Sequence, residues 1–379
     1  MDPYLSYARE HLSDVKALIG ELVACESPTG DPASVKRFVD LVASRASDCA
    51  AARTIRCGKF GPILRLKFKL PGRRKQGQIM ALGHADTVWP VGTLATMPFK
   101  EADGRLWGPG VFDMKCGIAF FLFAMRALRD LDTPVAHNVV LQLNSDEEVG
   151  SPSSRPHTEA EARRSLAVLV MEPALGLDGR LKTARKGAGE FRVAVRGKAA
   201  HSGVDFAAGA SAVVELARQI ERIAAFTDLD KGVTVNPGVI QGGTRSNVVA
   251  ESASVECDVR IWRARDAARI EKLFQKLKPV DKRCAITVEG GVTRPPLERT
   301  PGVAKLARLA QKLSRELGVE LNEASTGGGS DGNFTAAAGV PTLDGLGGVG
   351  EALHAPDESI LVDRIADRVA LTAKLVAAL

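Results

Sequence analysis

The chain has 379 residues, 45% hydrophobic and 25% charged, and its 51 lysines and arginines against 45 aspartates and glutamates leave a formal charge of +6. That is chain enough for two domains with their own cores, and the mild, scattered charge with only 5% aromatics excludes a nucleic-acid-binding surface. No apolar stretch spans a bilayer, no basic-then-apolar leader opens the chain, and six cysteines form neither a CxxC pair nor a regular framework; the expectation is a cytoplasmic protein with reduced thiols, with no membrane or nucleic-acid partner.

Residues 4–24 and 32–46 repeat apolar positions at helical spacing. Strand-like runs follow at 63–69 and 78–83, and Arg73-Arg74-Lys75 after Pro71-Gly72 reads as a solvated hairpin turn. The second run, Ile79-Met80-Ala81-Leu82, ends in Gly83-His84-Ala85-Asp86-Thr87. A loop-rich stretch then leads through Gly108-Pro109-Gly110 to Asp113 and a helix at 117–128. A buried strand at 138–143 ends in Asp146-Glu147-Glu148, an acidic helix covers 158–165, and a strand at 167–171 ends in Glu172. Strands alternating with helices predict an α/β domain with a largely parallel core sheet, in which ligands gather where strands end.

The rhythm changes near Lys186. Strands at 190–195, 234–241, 252–261 and 285–289, with helices at 207–223 and 265–277, give the order β-α-β-β-α-β, the split βαβ pattern. Helices at 301–317 and 362–378 return to the first pattern. The chain therefore divides into 1–185, an inserted small α+β domain at 186–294, and 295–379, which completes the first domain.

The polar residues at the ends of the apolar runs carry the chemistry. Acids buried at strand ends are costly unless something positive neutralises them. Two divalent cations bring four positive charges; Asp113, Glu148 and Glu172 supply three negative ones, and a bridging hydroxide the fourth. His84 and His354, the latter in a glycine-rich segment, complete a nitrogen and oxygen ligand set suited to zinc, with cobalt or manganese as substitutes. No cysteine is recruited, and a pair of such ions is a hydrolytic device. His84 and Asp86 flank Ala85, so alternation puts them on one side of an extended segment, where Asp86 can orient the imidazole. In an extended chain Glu147 and Glu148 point in opposite directions, one to a metal and one to the substrate as a base. Singly these residues have plainer readings: Asp113 as a helix cap, Glu172-Pro173 as a turn, His354 as a loop histidine.

The stretch from Gly83-His84-Ala85-Asp86-Thr87-Val88-Trp89-Pro90 through Gly108-Pro109-Gly110-Val111-Phe112-Asp113-Met114-Lys115, with the spacing on to Glu147-Glu148 and Glu172, resembles the co-catalytic zinc metallopeptidases typified by carboxypeptidase G. That family also includes acetylornithine deacetylase, succinyl-diaminopimelate desuccinylase and aminoacylase. The resemblance implies a zinc-peptidase-like α/β/α catalytic domain with an inserted ferredoxin-like lid and dimerisation domain, two Zn2+ per subunit (Co2+ or Mn2+ as alternatives) and a homodimer. It implies that Asp113 bridges the two ions, with His84 and Glu172 on one and Glu148 and His354 on the other. Glu147 would be the general base and Asp86 the orienting acid. In the inserted domain, His201 of Lys198-Ala199-Ala200-His201-Ser202-Gly203 is similar to the histidine that reaches a partner subunit's active site and steadies the oxyanion. Asn247 and Arg260 match positions that hold the substrate's carboxylate.

Thr326-Gly327-Gly328-Gly329-Ser330-Asp331-Gly332-Asn333, which places Gly328 among the substrate-binding residues, and Leu343-Asp344-Gly345-Leu346-Gly347 look most like the glutamate-carboxypeptidase branch. The implied activity is cleavage of an amide or peptide bond to release a C-terminal amino acid, with a deacylase of N-acyl amino acids as the alternative. A silent scaffold would lack the base or a ligand, and all six residues are present. Two departures stand out: Cys116 occupies a position where glycine is usual, and Val204-Asp205-Phe206 replaces a proline-bearing turn.

Overall fold

The computed structural model describes residues 2–379, which fall into two units. One comprises the chain up to Ala184 with Arg299–Thr326 and Ser330–Leu379; the other comprises Arg185–Glu298 with Gly327–Gly329.

In the first unit the strand Gln78–His84 shows why the sheet is covered on both faces. Its side chains alternate, so Ile79 and Ala81 enter one hydrophobic cluster while Met80 and Leu82 enter another. The first cluster holds the helices Cys116–Asp130 and Ile365–Ala378, and the second holds Ala162 at the end of the helix Arg155–Ala162. The sheet order is Ala50–Ile55, Ile63–Phe68, Asn138–Asn144, Gln78–His84, Ala167–Val170, Thr342–Leu343. The last four are parallel and the first two run antiparallel to their neighbours. The core is thus parallel, as the alternation of strands and helices predicts, with an antiparallel edge. His84 closes one parallel strand, Asp146-Glu147-Glu148 follows the next at Asn144, and Glu172 follows Val170.

The second unit is an antiparallel sheet in the order Thr234–Gly242, Ser252–Ile261, Gly187–Arg196, Ala285–Arg294. Gly187–Arg196 alternates buried and exposed residues along its length. Phe191, Val193 and Val195 meet Leu216 and Ile223 of the helix Ala212–Ala224 and Ile270 and Phe274 of the helix Ala264–Gln275. The rings of Phe191 and Phe274 stack at 3.9 Å.

Several boundaries differ from the sequence expectation. The predicted 4–24 helix is two, Pro3–Glu10 and Leu12–Ala24, broken at His11, whose ring stacks on Tyr7. The 207–223 helix begins only at Ala212, because Ser211 caps it by accepting from the Val214 amide. The last strand runs through Gly290-Gly291 to Arg294. A small antiparallel sheet of Gly350–Glu351, Ser359–Leu361, Arg105–Trp107 and Lys100–Ala102 lies in the stretch read as loop. All six cysteines are free thiols, five of them buried. No described helix is long and apolar enough to cross a membrane.

Candidate metal centre

Five side chains from five separate segments of the first unit converge. His84 Nε2 lies 3.0 Å from Asp113 Oδ1 and 3.5 Å from Glu172 Oε1. His354 Nε2 lies 3.2 Å from the other Asp113 oxygen, Oδ2, and 3.4 Å from Glu148 Oε2. Within each of the two groups, His84–Asp113–Glu172 and Asp113–Glu148–His354, the nearest donor atoms all lie within 4.8 Å of one another. Asp113 belongs to both and offers one oxygen to each.

The residues present fit a pair of cations. Glu148 Oε1 is buried with no hydrogen-bond partner, a costly state for a carboxylate oxygen and one that a bound cation relieves. The donor set, two imidazoles and three carboxylates with no thiolate, suits divalent cations of the zinc, cobalt and manganese kind. Burial works against protonation of His84, yet its bonds to Asp113 and Glu172 hold its pKa well above the usual value. His354 is pushed up to about 10 by Asp113 and Glu148. Burial raises the Asp113 carboxyl, but the two imidazoles outweigh it and hold it far below the usual carboxylate range. Metal uptake at these groups displaces protons.

Neighbouring groups fix these side chains. His84 Nδ1 bonds the main-chain oxygen of Asp86 at 2.8 Å, while the Asp86 carboxylate is farther off, at 3.6 Å. The nearer partner of His84 Nδ1 is therefore the Asp86 carbonyl and not its carboxylate. The Asp86 carboxylate instead accepts from the amides of Glu147 (3.2 Å) and Glu148 (3.3 Å) and from the Thr29 hydroxyl (2.8 Å). Burial, the largest influence on it, pushes Asp86 up to about 6. Glu147 and Glu148 stand in a short helical turn, Glu147–Val149, and not in an extended chain. Asp146 is drawn away from them, accepting from the amides of Ser153 and Ser154. Cys116 is a packed, buried thiol whose Sγ lies 3.8 Å from the Phe112 carbonyl. His354 has a left-handed φ of 60°, which costs a residue with a Cβ about 1–3 kcal/mol and is a recurrent trait of functional sites.

One residue that the sequence analysis does not single out, Glu358, ties several of these segments together. Glu358, fully buried, accepts at Oε1 from the amides of Phe112 (2.8 Å) and Asp113 (3.0 Å), and at Oε2 from the Gly110 amide (3.0 Å) and the Trp89 indole (2.8 Å). The only signal in the sequence was its place four residues after His354, beside Asp357.

The other candidate residues lie in the second unit. His201 is exposed, and its Nδ1 accepts from the amides of Gly203 (3.1 Å) and Val204 (3.2 Å). A neutral ring so bonded carries its proton on Nε2. Asn247 is its neighbour: the Ser202 amide donates to the Asn247 carbonyl at 3.0 Å. Val204 and Phe206, from the unusual turn, are 83% and 68% exposed, large apolar surfaces standing beside a polar candidate. Arg260 sits on the strand Ser252–Ile261, forked onto Asp258 through Nε (2.9 Å) and Nη2 (2.8 Å). The Gly328 carbonyl accepts from Arg185 Nη1 at 3.2 Å.

With this geometry in place, known proteins are informative. The sequence model of peptidase family M20/M25/M40 matches residues 80–378. Carboxypeptidase G2 of Pseudomonas sp. (strain RS-16) is 28% identical over 362 residues, covering 94% of this chain and 87% of the relative. Succinyl-diaminopimelate desuccinylase of Cereibacter sphaeroides (strain KD131) is 29% identical over 379 residues, covering 93% and 95%. Among solved structures, aminopeptidase PepT from Bacillus cereus matches with a TM-score of 0.77 at 21% identity, covering 97% of this chain and 98% of that one, a likeness of fold.

Proposed function

Because the chain belongs to peptidase family M20/M25/M40 and is a metal-dependent hydrolase, we propose that it cleaves an amide or peptide bond to release a C-terminal amino acid, as a glutamate carboxypeptidase does. The observation that carries the two-metal reading is Asp113, whose Oδ1 and Oδ2 each face a different histidine, at 3.0 and 3.2 Å. His84 and Glu172 would hold one ion, His354 and Glu148 the other, with zinc the resident metal and Co2+ or Mn2+ as substitutes. When bound, such ions supply Lewis acidity and concentrated positive charge.

The chain's own groups do the rest. Glu147, one residue before a ligand, takes the proton of the attacking water and passes it to the leaving amine. His201, with its proton on Nε2, donates to the oxyanion that develops on the carbonyl. Arg260 and Asn247 hold the free carboxylate of the amino acid, the former through a guanidinium fork suited to it, and the Gly328 segment lines the same end. The second unit would act as lid and as the interface of a homodimer, in which His201 serves the partner's centre. Six free thiols support a reducing, cytoplasmic setting.

The likeness to the desuccinylase, at 29% identity over 93% of this chain, favours one alternative: a deacylase of N-acyl amino acids using the same centre. A panel of peptidyl and N-acyl amino acids, including folyl-type γ- and α-glutamyl conjugates, N-acetylornithine and N-succinyl-diaminopimelate, assayed with zinc, cobalt and manganese, separates the two. Release of glutamate from the conjugates is the expected result. Turnover of the acylated diamino acids alone installs the alternative, and turnover of nothing in the panel with two metals bound overturns both.

A further inference from the structure

The candidate metal ligands stand on segments far apart in the chain, and such segments need a reason to hold still together. His84 ends a strand and is followed five residues later by Trp89; Asp113 lies in the turn after Gly110; His354 precedes Glu358 by four residues. One carboxylate reaches all three segments. Glu358 Oε2 accepts from the Trp89 indole and the Gly110 amide, and Oε1 accepts from the Phe112 and Asp113 amides. The same residue's carbonyl accepts from the Gly108 amide at 3.3 Å. Ser359 next to it pairs with Trp107 in the small antiparallel sheet, which carries the His354 loop to the Asp113 loop.

We propose that Glu358 is a positioning residue for the metal centre: its carboxylate clamps the His84, Asp113 and His354 segments together, so that the bridging aspartate and one histidine of each site are set before ions bind. This rests on the two-metal reading above. The chemistry of the four donors makes the clamp specific to an ionised carboxylate. All four partners are N–H groups, two on each oxygen. Glutamine has the same shape, but only one of its terminal atoms accepts; its NH2 must face two N–H donors and leave them unsatisfied in a fully buried place. A merely structural acid would cost stability when replaced and leave ion affinity alone. A positioning acid, like other partners that orient metal ligands, costs affinity by about 10- to 100-fold.

The test is a competition titration of the ion-free protein with zinc against a chromophoric chelator, alongside thermal unfolding, for the wild type, Glu358→Gln and Trp89→Phe. The wild type taking up two ions is the expected baseline. Glu358→Gln is expected to bind zinc about 10- to 100-fold more weakly, and Trp89→Phe, which removes one of the four donors, to show a smaller loss in the same direction. A wild type that takes up no second ion overturns the two-metal reading and this inference with it. A wild type with two ions and a folded Glu358→Gln of unchanged affinity overturns the positioning role alone. Should Glu358→Gln not fold, unchanged affinity in folded Trp89→Phe overturns it.

Discussion

The two units differ in how their chemical side chains are held. In the first, His84 and Glu172 are buried and His354 is exposed, and the loops that bring them together are tied by further acids, Asp86 on the amides of Glu147 and Glu148 and Glu358 on those of Phe112 and Asp113. In the second, His201 and Asn247 are exposed, and Arg260 is bonded to an acid two residues away on its own strand. Metal ligands that repel one another must be fixed in advance, because an ion cannot gather them without a large ordering cost. His201, Asn247 and Arg260, in the proposed roles, meet only a substrate or its oxyanion and can stay in solvent until the complex forms.

If that division is right, damage to the first unit removes chemistry and damage to the second changes how substrate is met. The largest effect is expected at Glu147. Glu147→Gln should retain two metal ions by elemental analysis and lose about 10²- to 10⁴-fold in kcat/KM, the usual worth of a general base. Near-wild-type turnover with full metal would remove Glu147 from the proton path.

His201→Ala comes next, with kcat lowered about 10²- to 10³-fold, the range for one oxyanion donor. KM should hardly move, since the bond strengthens only in the transition state. Mixing this variant with Glu147→Gln sharpens the comparison, because a mixed dimer regains one intact centre only if His201 serves the partner subunit. A confirmed mixed dimer without recovered activity would confine His201 to its own chain.

Removing the ions asks whether the first unit alone depends on them. At free metal of about one hundred times Kd, each site is worth about 2.7 kcal/mol to the folded state, and chelation withdraws it. Hydrogen exchange should then rise in Gln78–His84 and Asn138–Asn144, with Gly187–Arg196 and Ser252–Ile261 unchanged. Equal loss of protection in both sets would mean that the units open as one body.

The same contrast explains what the sequence could and could not tell. His84, Glu148 and Glu172 drew attention because each comes after an apolar run, though singly each has a plainer reading and only the set, with the family resemblance, points to a metal centre. Asp113 stood out because Gly108-Pro109-Gly110 marks a tight turn before it, and Gly110 takes the left-handed φ of 70° that such a turn requires. Glu358 did not stand out, since its meaning lies in partners 245 to 269 positions away and no local pattern encodes such pairing. The same blindness hid the two- and three-residue strands of the small sheet, whose stability comes from neighbours and not from alternation. Ala50–Ile55 escaped because four of its six residues are exposed and carry no apolar period. The opposed directions expected of Glu147 and Glu148 assumed extended backbone, and the amide bonds to Asp86 instead wind them into a turn.

The smallest expected effect falls on the second unit and turns on Asp258. The pair with Arg260 is about 36% and 41% exposed, so as a surface ion pair it adds about 0–1 kcal/mol to stability and its loss should not move Tm measurably. Its kinetic weight is different. Asp258 occupies the Nε and Nη2 edge of the guanidinium, at 2.9 and 2.8 Å, the edge a substrate carboxylate would choose for a bidentate bond. If Arg260 holds that carboxylate, Asp258→Asn should lower KM a few-fold with kcat unchanged, while Arg260→Ala raises it about tenfold, roughly the 1.4 kcal/mol of one charge-assisted hydrogen bond. A rise in KM for Asp258→Asn would give the aspartate the reverse part, that of holding Arg260 extended toward the ligand. Unchanged KM in both variants would leave the pair as a strand ornament and move the search for carboxylate recognition to Asn247, which is exposed beside His201 and has no anionic competitor on its own segment from Thr244 to Val248.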